Sequence, residues 1–313
     1  METLLYLAAR AVVTLVQALP LRWVARLGRL GGAVAWTLDG RHRQVAIENL
    51  THAFSGEQSP AAIRRLAREN FRRIGENYAG AIRTAAMSAG EVRTVLSVAG
   101  SEKILRRLGP QPGSCVIAIG HFGNFELYAR ANQEASHLQF ATTYRALRQP
   151  ALNRLLQELR GRSGCLFFER RTESGALKEA LTRQPVMVGF LADQHAGDRG
   201  LRLPFLGRDC STTAAPAVFA LRYGLPVFTA ICYRVGLARW RIEVGDEIPT
   251  EEAGHPRPVE AISLDINRAF ELAVRRDPAN WFWVHRRWKP GKYRRAAPPP
   301  PDAASPVATP SPP

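Results

Sequence analysis

Lysine is scarce in this 313-residue chain: of 43 basic residues only Lys103, Lys178, Lys289 and Lys292 are lysine, and the rest are arginine. Arginine's planar fork grips phosphate or carboxylate at two points, where lysine offers a point charge. Against 27 acidic residues the net charge is +16, which favours an anionic partner: nucleic acid, an anionic membrane or an acidic carrier protein. Cysteine is also sparse. Cys115, Cys165, Cys210 and Cys232 lie far apart, without the short spacing of a zinc site or a thioredoxin-like redox centre. They read as small hydrophobes in a reducing, cytosolic setting.

Several chemical signatures are missing as well. There is no G-x-S-x-G elbow; Gly161–Cys165 has serine third but ends on cysteine. No G-x-x-x-x-G-K-[ST] phosphate loop is present, and no histidine pair has metalloprotease spacing. Gly28, Gly31 and Gly32 fall in a helical segment rather than between a strand and a helix, so they are no dinucleotide fingerprint. Neither a metal nor a nucleotide cofactor is expected. With 46% hydrophobic and 22% charged residues, the chain has the makeup of a globular protein rather than a collagen-like, disulfide-stapled or disordered one.

Long apolar runs are lacking too. Leu4–Leu21 is broken by Arg10 and Gln17, too interrupted for a signal peptide and short for a spanning helix. Thr3, Arg10, Thr14 and Gln17 fall on one helical stripe, and the remainder is apolar. In Leu21–Leu38, Arg22, Arg26 and Arg29 share one face, while Trp23, Leu27, Leu30 and Val34 run down another. A basic stripe beside a tryptophan-bearing apolar face suits a helix lying in a bilayer interface. Residues 1–40 are therefore expected to be membrane-associated. The alternatives are an amphipathic helix packed on the domain or a single spanning pass.

Ser59-Pro60 opens one long amphipathic helix over 60–86. From residue 114 short β-rich runs appear at Ser114–Ile119, Gln139–Thr143, Cys165–Phe168, Val186–Leu191, Val227–Tyr233 and Arg239–Val244. Helical segments at 123–135, 149–161, 174–183, 211–223 and 260–276 separate most of them. This alternation predicts an α/β domain over 41–295, with a central, largely parallel sheet flanked by helices. Residues 296–313 are proline, alanine and serine for the most part and are expected to be a disordered tail.

Chemistry concentrates where the strand ending at Ile119 delivers His121 between Gly120 and Gly123. The C-terminal edge of a parallel sheet is where α/β enzymes build their sites. Asn124 is placed to cap the next helix, and Glu126 falls in its first turn, close enough to fold back toward the imidazole. A carboxylate on one ring nitrogen fixes the tautomer and frees the other as a base. Such a pair suits direct attack of a hydroxyl on an activated acyl group. The plainer reading makes His121 a turn residue and Glu126 a helix-dipole partner.

Gly120-His-Phe-Gly-Asn-Phe-Glu126 resembles the His-x4-Asp/Glu motif of the bacterial lipid A late acyltransferases, the lauroyl/myristoyl transferase family, relatives of the glycerolipid acyltransferases. Further segments agree in order: Arg43–Leu50 with Ala53-Phe54, Tyr144-Arg145 before Gln149-Pro150, Arg160, Asp193-Gln194, Pro204–Gly207 with Thr212, and Trp283-Val-His-Arg-Arg-Trp-Lys289. Ala146, Leu206 and Ala215 depart from the family's usual residues.

The resemblance implies a glycerolipid-acyltransferase-like fold and no cofactor. It casts His121 as general base, Glu126 as its orienter and Arg160 as oxyanion stabiliser, with a phosphate contact or a helix-surface charge as the alternatives for Arg160. Asn124, Tyr144 and Arg145 would line the substrate site, Arg145 against an acceptor phosphate, and Asp193 and Gln194 would line the cleft or brace the site. It further implies an acyl carrier protein or acyl-CoA as donor, an anionic glycolipid acceptor, and the cytoplasmic face of the inner membrane. The acceptor would be a lipid A precursor, or another glycolipid such as a phosphatidylinositol mannoside. Trp281, Trp283 and Trp288 beside Arg286 and Arg287 are expected to be core tryptophans rather than a nucleic-acid stacking platform. The rival from another class is a non-catalytic basic membrane-binding protein.

Overall fold

The computed structural model describes residues 1–110, 113–134, 138–170 and 172–290; the proline-rich segment 296–313 lies outside them. Seven strands form the main sheet: β1 (Leu96–Ala99), β2 (Cys115–Ile119), β3 (Gln139–Tyr144), β4 (Leu166–Glu169), β5 (Val186–Leu191), β8 (Val227–Gly236) and β9 (Arg239–Val244), in the order β1-β9-β8-β2-β5-β3-β4. Every neighbouring pair is parallel except β8–β9. The central strand β2 is buried along its whole length, as its unbroken Cys-Val-Ile-Ala-Ile run requires of a strand covered on both faces. A hairpin of β6 (Leu201–Phe205) and β7 (Arg208–Thr212) stands apart from this sheet.

The helices are α1 (Glu2–Ala18), α2 (Leu21–Leu38), α3 (Gly40–Phe54), α4 (Pro60–Thr84), α5 (Ala89–Arg93), α6 (Ser101–Leu108), α7 (Pro150–Gly161), α8 (Ser174–Arg183), α9 (Ala215–Tyr223) and α10 (Val259–Arg276). One sheet face packs Val116, Ala118, Val186 and Val188 with α9 and α10. The opposite face packs Ile117, Ile119 and Phe228 against Ile104, Leu127 and Tyr128.

From residue 114 the alternation of strand and helix is as expected, with three differences; before it, β1 and α6 are additions to the expected elements. Residues 123–135 do not form an α-helix: Phe125–Glu134 is a 3-10 segment. Ser211 and Thr212 belong to β7, and α9 starts at Ala215 with proline in its first turn. The β6–β7 hairpin is not among the expected strands; its Pro204 is tolerated in a two-stranded ribbon turning at Leu206-Gly207.

The first two helices bury only a few apolar residues, Val13 on α1 and Leu21, Val24 and Ala25 on α2. On α1 the Arg10 and Gln17 of the polar stripe face the protein, while Thr3 and Thr14 are exposed. Arg10 reaches Glu158 of α7 at 3.2 Å, the Tyr6 hydroxyl donates to the same carboxylate at 2.9 Å, and Gln17 donates to the Ile82 carbonyl at 3.1 Å. Leu4, Leu7, Val12 and Leu15 point outward, as do Trp23, Leu27, Leu30, Val34 and Leu38 of α2. Arg29 departs from the expected basic face: it turns inward to Glu69 at 2.9 Å and to the fully buried Glu76 at 3.2 Å. No described helix is long and apolar enough to cross a membrane.

The glycines of α2 make its crossing with α4. A Cβ on Gly28 would stand 2.5 Å from the Gly75 carbonyl oxygen, and one on Gly32 would stand 2.1 Å from that of Phe71. Backbone cannot yield there as a flexible side chain can. Gly32→Val is expected to lower unfolding stability by at least about 3 kcal/mol through overpacking. Gly31, whose Cβ would meet nothing within 4 Å, is the control: Gly31→Ala is expected to stabilise by about 0.5–1 kcal/mol. Urea unfolding of both variants checks the pair, and similar midpoints would refute the crossing.

Candidate active site

The strand β2 ends at Ile119, and the next residues break sharply out of the sheet. Gly123 adopts φ +52°, and a Cβ there would meet the Cys232 carbonyl oxygen at 2.5 Å, so only glycine fits. The Gly123 N–H donates to the Asn280 carbonyl at 3.0 Å, and Phe122 bridges to Trp281. The histidine loop is thus clamped onto the chain's closing segment, which buried asparagines hold from the other side. Asn49 of α3 donates to the Trp283 and His285 carbonyls, both at 2.8 Å. Asn70 of α4 donates to the Ala279 and Trp281 carbonyls. Trp281 and Trp283 are buried with ring centroids 4.7 Å apart, which makes them core.

His121 does not bond to Glu126. Its Nδ1 lies 2.8 Å from Asp193 Oδ1, and its backbone N–H donates to Asp193 Oδ2 at 2.9 Å. The Trp281 indole N–H donates to the same Oδ2 at 2.8 Å. Burial alone would raise the Asp193 carboxyl, but the His121 charge and these hydrogen bonds hold it at about 2. An ionised carboxylate at Nδ1 keeps the proton there and leaves Nε2 as the base. Nε2 has no partner among the described residues. Phe125 and Phe282 flank the ring, with centroids 4.8 and 5.9 Å away.

Glu126 is instead taken by Arg160 in a two-point fork, Nη2–Oε1 at 2.6 Å and Nε–Oε2 at 3.0 Å. The reason is local: the 3-10 segment does not return the Glu126 side chain to the imidazole, and α7 brings Arg160 alongside. The Arg160 guanidinium also lies over the Phe167 and Tyr144 rings, at 5.1 and 5.8 Å. Its Nη1 forms no hydrogen bond among the described residues.

This ion pair stands in the wall of a large apolar cavity on the α6 side of the sheet, with Tyr144. A smaller cavity on the α4 side is lined by His121, Asn124, Phe125, Glu126, Tyr78 and Phe282. Phe125 and Glu126 border both, and His121 lines the smaller one with its ring against Phe125. Among the described residues no cluster of three or more His, Cys, Asp or Glu could hold a metal ion.

The other expected site residues are placed unevenly. Asn124 caps nothing: it is buried, and neither amide atom has a partner. Tyr144 ends β3 at the large cavity, and Arg145 is exposed just beyond it. Asp193 holds the histidine rather than lining the cleft, and Gln194 is half-buried with its carbonyl bonded by Arg287 at 3.0 Å. Reading the sequence for single residues missed Trp281, His285 and Arg287 as parts of the site. Their signal was the closing tryptophan-histidine-arginine segment.

Comparison with known proteins now bears on this geometry. Residues 2–290 match the family described as bacterial lipid A biosynthesis acyltransferase. The chain belongs to that family. It is an O-acyltransferase. Among lipid A acyltransferases it is 26% identical over 281 residues to the lipid A biosynthesis palmitoleoyltransferase of Escherichia coli (strain K12), covering 87% of this chain and 86% of that one. The same figures hold for the lipid A biosynthesis acyltransferase of Shigella flexneri.

Acid sensitivity follows from two buried groups of this acyltransferase. His285 accepts the His195 N–H on Nε2 at 3.0 Å, and burial, with Arg287 nearby, pushes its imidazole down to about 4. An unfolded histidine titrates near 6.5. Below that pH the unfolded chain binds a proton that the folded one refuses, so stability is full above about 6.5 and falls until about 4. Asp193, depressed to about 2, adds a further loss from about 4 downward. Melting temperature is expected to fall between pH 7 and 4, and less steeply in His285→Gln, whose amide oxygen can still accept the His195 N–H. Parallel slopes would refute the assignment to His285.

Proposed function

We propose that the enzyme moves a fatty acyl chain from an acyl carrier protein thioester to a hydroxyl of a lipid A precursor. The observation that carries this reading is the His121–Asp193 pair, with a free Nε2, beside a partly polar cavity that shares its Phe125 and Glu126 wall with a large apolar one. His121 Nε2 takes the proton of the acceptor hydroxyl as its oxygen attacks the thioester carbonyl. Asp193 stabilises the imidazolium that forms. The tetrahedral intermediate expels the thiolate, which recovers the proton from His121, so no covalent enzyme intermediate is needed. Arg160, its plane fixed by Glu126, keeps Nη1 for the developing oxyanion. The large cavity takes the acyl chain. Asn124, in the wall of the second cavity, serves the acceptor with Arg145 and Gln194, Arg145 for phosphate, and Tyr144 lines the acyl cavity beside Arg160.

The outward apolar faces of α1 and α2 support docking on the cytoplasmic face of the inner membrane, residues 1–40 acting as the membrane-associated segment of a domain that runs to about 295. Arg26 stacks over Trp23 at 5.1 Å, which places a cation beside an interfacial aromatic ring as an anionic headgroup layer would favour. A basic surface also suits an acidic carrier protein.

Detergent-purified protein is to be incubated with acyl carrier protein and CoA thioesters and a panel of acceptors, beside His121→Ala. Transfer to a lipid A precursor is expected, preferring the carrier thioester, and falling by about 10²–10⁴-fold in the variant. Transfer to another glycolipid would overturn the acceptor, and full activity in folded His121→Ala would overturn the mechanism.

A further inference from the structure

Gly189 lies in the middle of β5, paired with Ile117 of β2 on one side and Thr142 of β3 on the other. With Met187 and Leu191 it faces the large cavity, and of these three only Gly189 contributes no side chain. Glycine weakens a strand interior, so its presence there calls for a reason. Backbone conformation is not the reason, because Gly189 is absent from the residues with positive φ. Close packing is not the reason either. A Cβ at Gly189 would meet Ile119 Cδ1 at 3.3 Å, the Ala141 carbonyl oxygen at 3.7 Å and Thr142 Oγ1 at 3.9 Å. The nearest of these is the mobile end of a side chain, quite unlike the backbone carbonyls that abut Gly28 and Gly32. What remains is the open space above the residue.

That space lies part-way along the cavity. At one end stand Arg160 and Phe167, and at the other Ile104 and Leu105 of α6, across the sheet toward β1 and β9. Beside the gap, Thr142 donates its hydroxyl to the Gly189 carbonyl at 2.8 Å, so its polar group is spent within the sheet rather than offered to the cavity. The floor is therefore apolar and at its lowest at Gly189.

We propose that Gly189 determines acyl-chain length: the missing side chain leaves the passage through which a long chain crosses the sheet, and any side chain there shortens the chain that fits. This rests on the acyl-transfer reading of the cavity. A β-branched substituent suits a strand, so Gly189→Val is the main variant, and Gly189→Ala, whose single carbon asks only a few tenths of an ångström from the end of the Ile119 side chain, is the graded one.

The test measures displacement of a fluorescent fatty acid by saturated fatty acids of about eight to sixteen carbons, and initial transfer rates with the matching thioesters. The full chain is used in detergent, with near-ultraviolet circular dichroism reporting the fold. Gly189→Val is expected to lower the ratio of long-chain to short-chain affinity by about tenfold or more, with the rates following and Gly189→Ala in between. An unchanged ratio in folded variants would overturn the proposal. Should the wild type bind fatty acids but transfer none, the acyl-transfer reading fails while the binding ratio still decides the role of Gly189. A wild type that binds no fatty acid of any length overturns both.

Discussion

Asparagine at position 193 is expected to lower turnover by about 10³- to 10⁴-fold, close to the loss from removing His121 itself. The carboxylate does two things for the imidazole. It accepts Nδ1–H, which leaves Nε2 unprotonated, and it offsets the positive charge that appears when Nε2 takes the acceptor's proton. An amide keeps the shape and loses both. Its NH₂ group can turn toward Nδ1 and favour the tautomer with the proton on the wrong nitrogen, and it brings no charge. Glu126→Gln separates this assignment from the one that sequence spacing suggested. It weakens only the Arg160 fork, so a loss of about 10- to 100-fold is expected, with the pH dependence of kcat retained. A larger loss for Glu126→Gln than for Asp193→Asn would return the orienting role to Glu126.

The contact expected between Glu126 and His121, beside the one found with Asp193, shows what was legible and what was not. The strand before His121, the glycines around it and the change of period after it are local features, and they placed the histidine at a sheet edge. Its partner is 72 residues away in the chain. It reaches the histidine because β2 and β5 are neighbours in a register that pairs Ile119 with Leu191; two residues on, His121 and Asp193 stand at the same level. Strand order is a property of the whole sheet, and nothing within reach of Glu126 in sequence reports it. Asp193-Gln194 is visible as a motif that lines the cleft or braces the site, but nothing local says which group it braces. The same limit applies to α2, where Gly28 and Gly32 excluded a nucleotide fold, yet only their position against Gly75 and Phe71 shows what they are for. Arg29 read as one of three outward cations for a similar reason. Its two acidic partners lie on α4, outside any helical wheel of α2.

Arg287→Ala is expected to cost at least about 4 kcal/mol of unfolding stability, a larger effect than a surface arginine could have. The residue is fully buried and joins three otherwise separate pieces of chain. Nη1 donates to the Gln194 carbonyl at 3.0 Å and to the Ser211 carbonyl, and Nη2 donates to Thr212 Oγ1 at 2.9 Å. Truncation leaves the Gln194 carbonyl without that donor, at a cost of about 1–3 kcal/mol, takes from the Ser211 carbonyl one of two donors, the Ala196 N–H remaining, and opens a cavity besides. Lysine is no remedy, since a single ammonium cannot reproduce the fork. The consequence for catalysis is indirect. Gln194 directly follows Asp193, and His195, held by the His285 ring, comes next. Loosening this strap frees the carboxylate that orients His121, so where Arg287→Ala still folds at low temperature, kcat should drop while the affinity for fatty acids in the large cavity stays. Urea unfolding beside a kcat and binding comparison decides it. A midpoint within about 1 kcal/mol of the wild type, or a loss of chain binding as large as that of turnover, would show that the buried guanidinium is not the strut the geometry makes it.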